Sequence, residues 1–212
     1  MNNNLSGNFE YFVIDFGGVL YDISHELTFT EFYKLAGNKD NFTSYSINDY
    51  LNDELIIQFE KGLIEPVEFR LKVKEKFLII ADNHKFDEAF NATLIKLKPD
   101  AINNIKKLKR FGKIYLLSNT NKIHYDHFKN ECKELFELFD GLFFSFLNGK
   151  RKPERMFFEY LIQNSGLQPQ VSLFIDDSIE NINAGKKSGF NTLLINEKKS
   201  LSDFIHDVEN FT

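Results

Sequence analysis

The sequence predicts an α/β protein built on a parallel sheet and interrupted by one long helical block. Three observations carry that expectation. From Pro99 onward, short apolar runs alternate with amphipathic stretches, the pattern of βαβ units with right-handed crossovers. From Ser24 to about Lys98 there is no convincing buried-strand run, and helical spacing dominates instead. Several apolar runs end on, or just before, polar and charged residues, where open parallel sheets bind their ligands.

The first run is Tyr11-Phe12-Val13-Ile14, all β-formers, ending at Asp15 and followed by Gly17-Gly18. A carboxylate at the end of a fully apolar strand is costly unless a metal, a cation or hydrogen bonds compensate it. The two glycines let the backbone turn sharply and approach a ligand. Leu27, Phe32 and Leu35 then have helical spacing, as do Ile47, Leu51, Leu55, Ile56 and Phe59. Gly62 marks a turn, and Pro66 starts a helix carrying Phe69, Leu71, Val73 and Phe77. A further helix is expected from about Phe86 to Leu97.

After Pro99, residues 100–110 form an amphipathic helix with Ile102, Ile105 and Leu108 inward, ended by Gly112. Ile114 to Leu117 is a buried strand followed by Ser118-Asn119, and a helical stretch from Ile123 to Phe139 leads to a strand around Leu142–Ser145. Lys152-Pro153 opens a helix that Gly166 closes. Val171 to Ile175 is a strand ending at Asp176-Asp177, a helix covers 180–188, and Thr192 to Ile195 is the last strand. The expected organisation is a Rossmann-like core of residues 9–22 and 99–212, with an all-helical cap of residues 23–98 placed to act as a lid.

Composition narrows the function classes. A chain of 212 residues with 42% hydrophobic and 27% charged residues can bury a substantial core. The net charge of −5 and the lack of a long basic cluster argue against nucleic acid as a partner. No apolar stretch approaches a membrane span. A lone Cys132 and a polar N-terminus without signal-peptide character fit a cytoplasmic location.

In a parallel sheet the strand ends share one edge, so Asp15, Ser118-Asn119, Lys152 and Asp176-Asp177 converge on one crevice. These residue types suit phosphoryl transfer. Asp15 can attack phosphorus, Ser118 and backbone amides can hold phosphate oxygens, and Lys152 can neutralise charge. Clustered carboxylates with oxygen-only donors suit Mg²⁺. Taken singly, Ser118-Asn119 is a common cap signal, Lys152 an ordinary solvated lysine, and Asp176-Asp177-Ser178 a helix cap. His124 and His127, three residues apart, are expected on a solvated helix face. The turn from Glu60 to Glu65 is either an ordinary inter-helix turn or one that leans over the site and selects substrate.

In this order the motifs Asp15-Phe16-Gly17-Gly18-Val19-Leu20, Leu117-Ser118-Asn119-Thr120, Lys152-Pro153 and Phe174-Ile175-Asp176-Asp177 with Asn181 resemble the haloacid dehalogenase-like hydrolases that carry a helical cap after the first motif. The resemblance spans essentially the whole chain. It implies Asp15 as nucleophile, Ser118 and Asn119 as phosphate ligands, and Lys152 as the cation joining nucleophile and phosphate. It further implies Mg²⁺ held by the Asp15 carboxylate, the Gly17 carbonyl and Asp177, assisted from just outside by Asp176 and Asn181.

One position departs from the family pattern. Most phosphatases of this superfamily carry a second Asp, the general acid and base, where this chain has Gly17. Three consequences are open. The substrate has a good leaving group, as in the sugar-1-phosphate phosphatases that share the Asp-x-Gly-Gly/Asn form. Alternatively, a water, Tyr21 or His25 donates the proton, or the chain only binds phosphate or a partner. The acidic pair Asp176-Asp177 disfavours a metal-free dehalogenase, and Gly17 disfavours a phosphosugar mutase. The expected activity is Mg²⁺-dependent hydrolysis of a small phosphorylated metabolite, a sugar phosphate, through an aspartyl-phosphate.

Overall fold

The computed structural model describes residues 9–40 and 45–210. Strand β1 (Tyr11–Ile14) buries Phe12, Val13 and Ile14, as its unbroken apolar run requires. A tight turn follows, in which the Leu20 and Tyr21 amides donate to the Phe16 carbonyl and Gly18 adopts φ +72°. Strand β2 (Tyr21–Ile23) leaves the turn and enters the helical block.

The block contains α1 (His25–Leu35), α2 (Ile47–Leu51), α3 (Glu54–Glu60), α4 (Pro66–Phe77) and α5 (Asn83–Asn91). The segment from Ile47 to Phe59 is two helices, because Asp53 caps α3 by accepting the Leu55 amide at 2.9 Å. Pro66 stands in the first turn of α4, as expected. The expectation of helix through Leu97 is corrected: α5 stops at Asn91, and β3 (Leu94–Leu97) pairs antiparallel with β2. The inserted segment is therefore not all-helical. A two-stranded ribbon joins it to the sheet, and local periodicity could not reveal a partner strand some 70 residues away.

The remaining chain alternates as predicted. It runs through α6 (Ala101–Leu108), β4 (Lys113–Ser118), α7 (Lys122–Phe128), α8 (Lys133–Phe136) and β5 (Gly141–Phe144). Next come α9 (Ser145–Asn148), α10 (Arg155–Ser165), β6 (Ser172–Asp176), α11 (Ile179–Lys187), β7 (Asn191–Leu194) and α12 (Leu201–Asn210). The single helix expected over 123–139 is broken by a turn between α7 and α8. The five long-range strands form a parallel sheet in the order β5-β4-β1-β6-β7. Placing β1 in the middle, between β4 and β6, is what brings the first, second and fourth motifs side by side.

Three apolar clusters hold the molecule. Phe12, Ile14, Leu116 and Ile175 face one side of the sheet, against α6 and α12. Val13, Leu117, Phe158 and Phe174 face the other, against α10 and α11. The helical block has its own core of Phe32, Phe59, Phe69, Phe86 and Phe90, joined by Ile123 from α7. The phenylalanines are spread over all three clusters. Phe59 and Phe69 stack with ring centroids 3.9 Å apart, and Phe69 is fully buried.

Truncating Phe69 removes the centre of that aromatic cluster. Phe69→Ala is expected to cost about 3–5 kcal/mol in chemical denaturation. A loss below about 1 kcal/mol would contradict the packing described.

Candidate active site

Asp15 follows directly on β1, and its amide donates to the Ile175 carbonyl at 2.9 Å, which continues the pairing with β6. Its Oδ1 accepts from the Phe16 amide at 2.7 Å and lies 2.7 Å from Lys152 Nζ. Among the described residues nothing pairs with Oδ2. Lys152 comes from the loop between α9 and α10, and its side chain is 1% exposed. The same Nζ donates to Asp176 Oδ2, also at 2.7 Å. One ammonium therefore bridges carboxylates from adjacent central strands.

The partners of that bridge are themselves held. Asp176, fully buried at the end of β6, accepts from the Ser178 amide at 2.8 Å and from Asn181 Nδ2 at 3.0 and 3.2 Å. Asn119 Nδ2 donates to the Lys152 carbonyl at 2.9 Å, and the Lys152 amide donates to Asn119 Oδ1 at 2.8 Å. The Asn119 side chain is thus committed to the lysine's main chain, which leaves its backbone as the part that can meet a phosphate. Ser118 is buried at the end of β4, with only a 3.4 Å contact to its neighbour's carbonyl. Thr120 and Ser145 exchange two hydrogen bonds of 2.8–2.9 Å that fix the loop beyond β4.

Asp177 is exposed, and its carboxylate, with those of Asp15 and Asp176, forms a group with oxygens within 4.8 Å of one another. The backbone at Gly18 passes so close that a Cβ there would run into the Asp177 carboxylate. Lys98 Nζ donates to the Gly18 carbonyl at 2.6 Å and lies 3.8 Å from Asp22, so it ties the turn after β1 to the end of β3. Sequence gave no signal for this residue, because a lysine before a proline looks like any linker residue.

The electrostatics follow from burial. Desolvation, reinforced by Asp176 and Asp177 and opposed by Lys152, pushes Asp15 up to about 8. Burial alone would depress the Lys152 ammonium, but Asp15 and Asp176 outweigh it and hold it above the usual lysine value. Asp177 is raised by desolvation and by Asp176, against Lys152 and Lys98. With all three carboxylates ionised the one bridging lysine could not balance them, which is why Asp15 and Asp177 hold their protons to higher pH when no cation is bound. The cluster's donors are all oxygen, with no thiolate or imidazole, and this is the donor set of a hard divalent cation. The charge deficit and the donor chemistry both fit Mg²⁺.

Two side chains named as possible proton donors fare differently. Tyr21 is excluded: its hydroxyl donates to Glu131 Oε2 at 2.8 Å, and its ring is buried against Phe16 and Phe128. His25 sits at the start of α1, 3.3 Å from Thr93 Oγ1, and burial lowers its pKa. The expectation of a solvated face for His124 and His127 holds only for His127, which is exposed. His124 stacks on Phe90 at 4.3 Å and meets Asn91 Oδ1 at 2.9 Å, so it belongs to the junction between α5 and α7. Burial, with help from His25 and His127, lowers its pKa to about 3. The turn around Gly62 does lie on the core: Glu60 pairs with Arg151 at 3.0 Å and Lys61 with Glu154 at 2.5 Å.

Residues 9–189 match the family model described as haloacid dehalogenase-like hydrolase. The chain is 30% identical over 185 residues to D-ribitol-5-phosphate phosphatase of Bacteroides thetaiotaomicron, covering 85% of this chain and 88% of that protein. It is 28% identical over 187 residues to a sesquiterpene phosphatase of Aspergillus oryzae, covering 85% and 87%. A HAD family enzyme of Bacteroides thetaiotaomicron, solved with magnesium and inorganic phosphate, superposes with a TM-score of 0.79 at 28% identity, covering 92% of this chain and 98% of that one. The chain belongs to the haloacid dehalogenase-like hydrolase family.

Proposed function

We propose that this chain is a Mg²⁺-dependent phosphatase of a small phosphorylated metabolite, with sugar or polyol phosphates as its substrate class, working through an aspartyl-phosphate on Asp15. The observation that carries the reading is the cluster of Asp15, Asp176 and Asp177 bridged by one buried lysine. The relatives support it: one acts on a ribitol phosphate, and another structure binds magnesium and phosphate. Residues 9–22 and 99–212 would form the catalytic core and 23–98 the cap, joined through the β2–β3 ribbon.

Asp15, Asp177 and the Gly17 carbonyl would hold the ion, which when bound neutralises phosphate charge that would otherwise repel the nucleophile. With Lys152 and the Phe16 amide on Asp15 Oδ1, the Asp15 carboxylate attacks phosphorus. The new O–P bond forms as the ester P–O bond breaks, and the alcohol leaves as an alkoxide that takes its proton from water. Ser118 Oγ and the Asn119 main chain bind phosphate oxygens. Lys152 balances the charge that builds on them, and Asp176 keeps Lys152 in place. Water then hydrolyses the acyl phosphate and restores Asp15.

Gly17 offers no proton to the leaving group, and a Cβ there would come within 3.0 Å of Ile23 Cδ1. Hydrocarbon from β2 fills the space where the usual acid would begin. Turnover should therefore depend on the leaving group's own acidity, since general acid help is worth about 10²–10⁴-fold. A protein that only binds phosphate is the competing reading, and it predicts no turnover even of an activated ester.

Wild type with Mg²⁺ is expected to release phosphate from an activated aryl ester, and Asp15→Asn or chelation to reduce this by at least about 10³-fold. Retained turnover in Asp15→Asn would refute the nucleophile. Across a series of phosphate esters, kcat/KM should rise at least about tenfold from alkyl to aryl leaving groups; a flat series would mean that another residue supplies the proton.

Stability gives an independent readout. Asp15 titrates near 8 in the fold against 3.8 in an unstructured chain, so without a cation folding stability is lost as pH climbs from about 4 to 8. With chelator near pH 7.5, Asp15→Asn should melt a few degrees above wild type, and near pH 4 the two should coincide. Added Mg²⁺ should stabilise wild type and narrow the gap. A variant that melts below wild type at both pH values would contradict this account.

A further inference from the structure

Ser145 carries a fully buried hydroxyl that the chemistry described above does not use. It follows β5 directly and opens α9, and a serine oxygen at a helix start ordinarily accepts from amides of its own helix. This one turns to the end of another strand. Ser145 Oγ donates to the Thr120 carbonyl at 2.8 Å and accepts from the Thr120 amide at 2.9 Å.

The sheet register shows what these two bonds replace. β4 pairs with β1 as far as Leu116, and with β5 as far as Ser118 opposite Phe144, where β5 ends. Thr120 lies two residues past that last pair, still buried, with no strand beside it to satisfy its main chain. Buried main-chain groups left unpaired each carry a desolvation cost. A hydroxyl both gives and takes hydrogen bonds, so one side chain meets both needs. Ser145 thus extends the order of the sheet two residues beyond its last strand pair.

The residues inside that span are those assigned to phosphate. Ser118 is fixed by the strand pairing, Thr120 by Ser145, and the Asn119 side chain between them by the Lys152 main chain. Two donors remain unspent among the described residues: the Ser118 hydroxyl, with its 3.4 Å contact, and the Asn119 amide, which has no acceptor.

We propose that Ser145 is a positioning residue for phosphate, which holds both main-chain groups of Thr120 and thereby fixes the Ser118 hydroxyl and the Asn119 amide as paired donors to phosphate oxygens. The inference rests on the phosphatase reading above. Ser145 acts through Thr120 and does not touch the substrate. Donors fixed before the ligand arrives need no ordering when it binds. Without the hydroxyl, the Thr120 N–H and C=O must turn to find other partners, and the Asn119 main chain turns with them. The carboxylates that would hold the cation, Asp15 and Asp177, follow β1 and β6, so this loop can loosen without moving them.

The test titrates the full-length chain with inorganic phosphate at saturating Mg²⁺ by calorimetry, and with Mg²⁺ alone by the rise in melting temperature. Neither readout needs turnover. Ser145→Ala removes the hydroxyl, and Ser145→Cys removes it while nearly keeping the volume, which separates hydrogen bonding from packing. Each is read at a temperature where its own melting curve shows it folded. Both should weaken phosphate binding about tenfold or more, and leave the Mg²⁺ concentration for half-maximal stabilisation within about twofold of wild type. KM for nitrophenyl phosphate should rise in step with the phosphate Kd. Variants that bind phosphate as wild type does would overturn the inference alone. Equal losses for phosphate and Mg²⁺, the mark of a general structural role, would overturn it too. A wild type that binds Mg²⁺ but no phosphate would sink the phosphatase reading and this inference with it.

Discussion

The ammonium of Lys152 lies between carboxylates from two neighbouring strands, and the rest of the site is arranged around keeping it there. Removing three charged groups from water costs several kcal/mol per ion, and only close geometry and further hydrogen bonds offset that. Here Asn119 grips the lysine's main chain, while Asn181 and the Ser178 amide hold Asp176. The Phe174 ring lies 5.7 Å below the ammonium. The triad leaves Asp15 Oδ2 and the exposed Asp177 outside the internal pairing.

Sheet order explains how residues so far apart in sequence meet. β1 sits between β4 and β6, so the ends of the three strands present Asp15, Ser118 and Asp176 along one edge. This much was legible, because apolar runs that end on chemistry-bearing residues mark strand ends in a parallel sheet. Side-chain commitment was not legible. The second motif pointed to Asn119 as a phosphate ligand, but the sequence does not say that its amide spends both donor and acceptor on Lys152. Nor does it say that the Tyr21 hydroxyl turns away to Glu131.

The helical block shows the same division. Its helices and their aromatic faces followed from spacing, and Pro66 marked a start that the structure keeps. The β2–β3 ribbon did not follow, because each strand is short and its partner lies at the far end of the insertion. His124 looked like a surface residue because its stacking partner, Phe90, lies on another helix. Glu60 and Arg151 stand about 90 residues apart, and only the fold shows them meeting between the helical block and the loop that carries Lys152. Motif order thus reports which residues meet at the strand ends, while the contacts between block and core are visible only in the fold.

The most direct measurement is a rapid acid quench of the enzyme with Mg²⁺ and an activated phosphate ester, followed by mass analysis of the peptide containing Asp15. The account predicts a phosphorylated Asp15 that accumulates before the steady state and is absent from Asp15→Asn. Turnover by wild type with no phosphate on that peptide, or with phosphate on another residue, would contradict it.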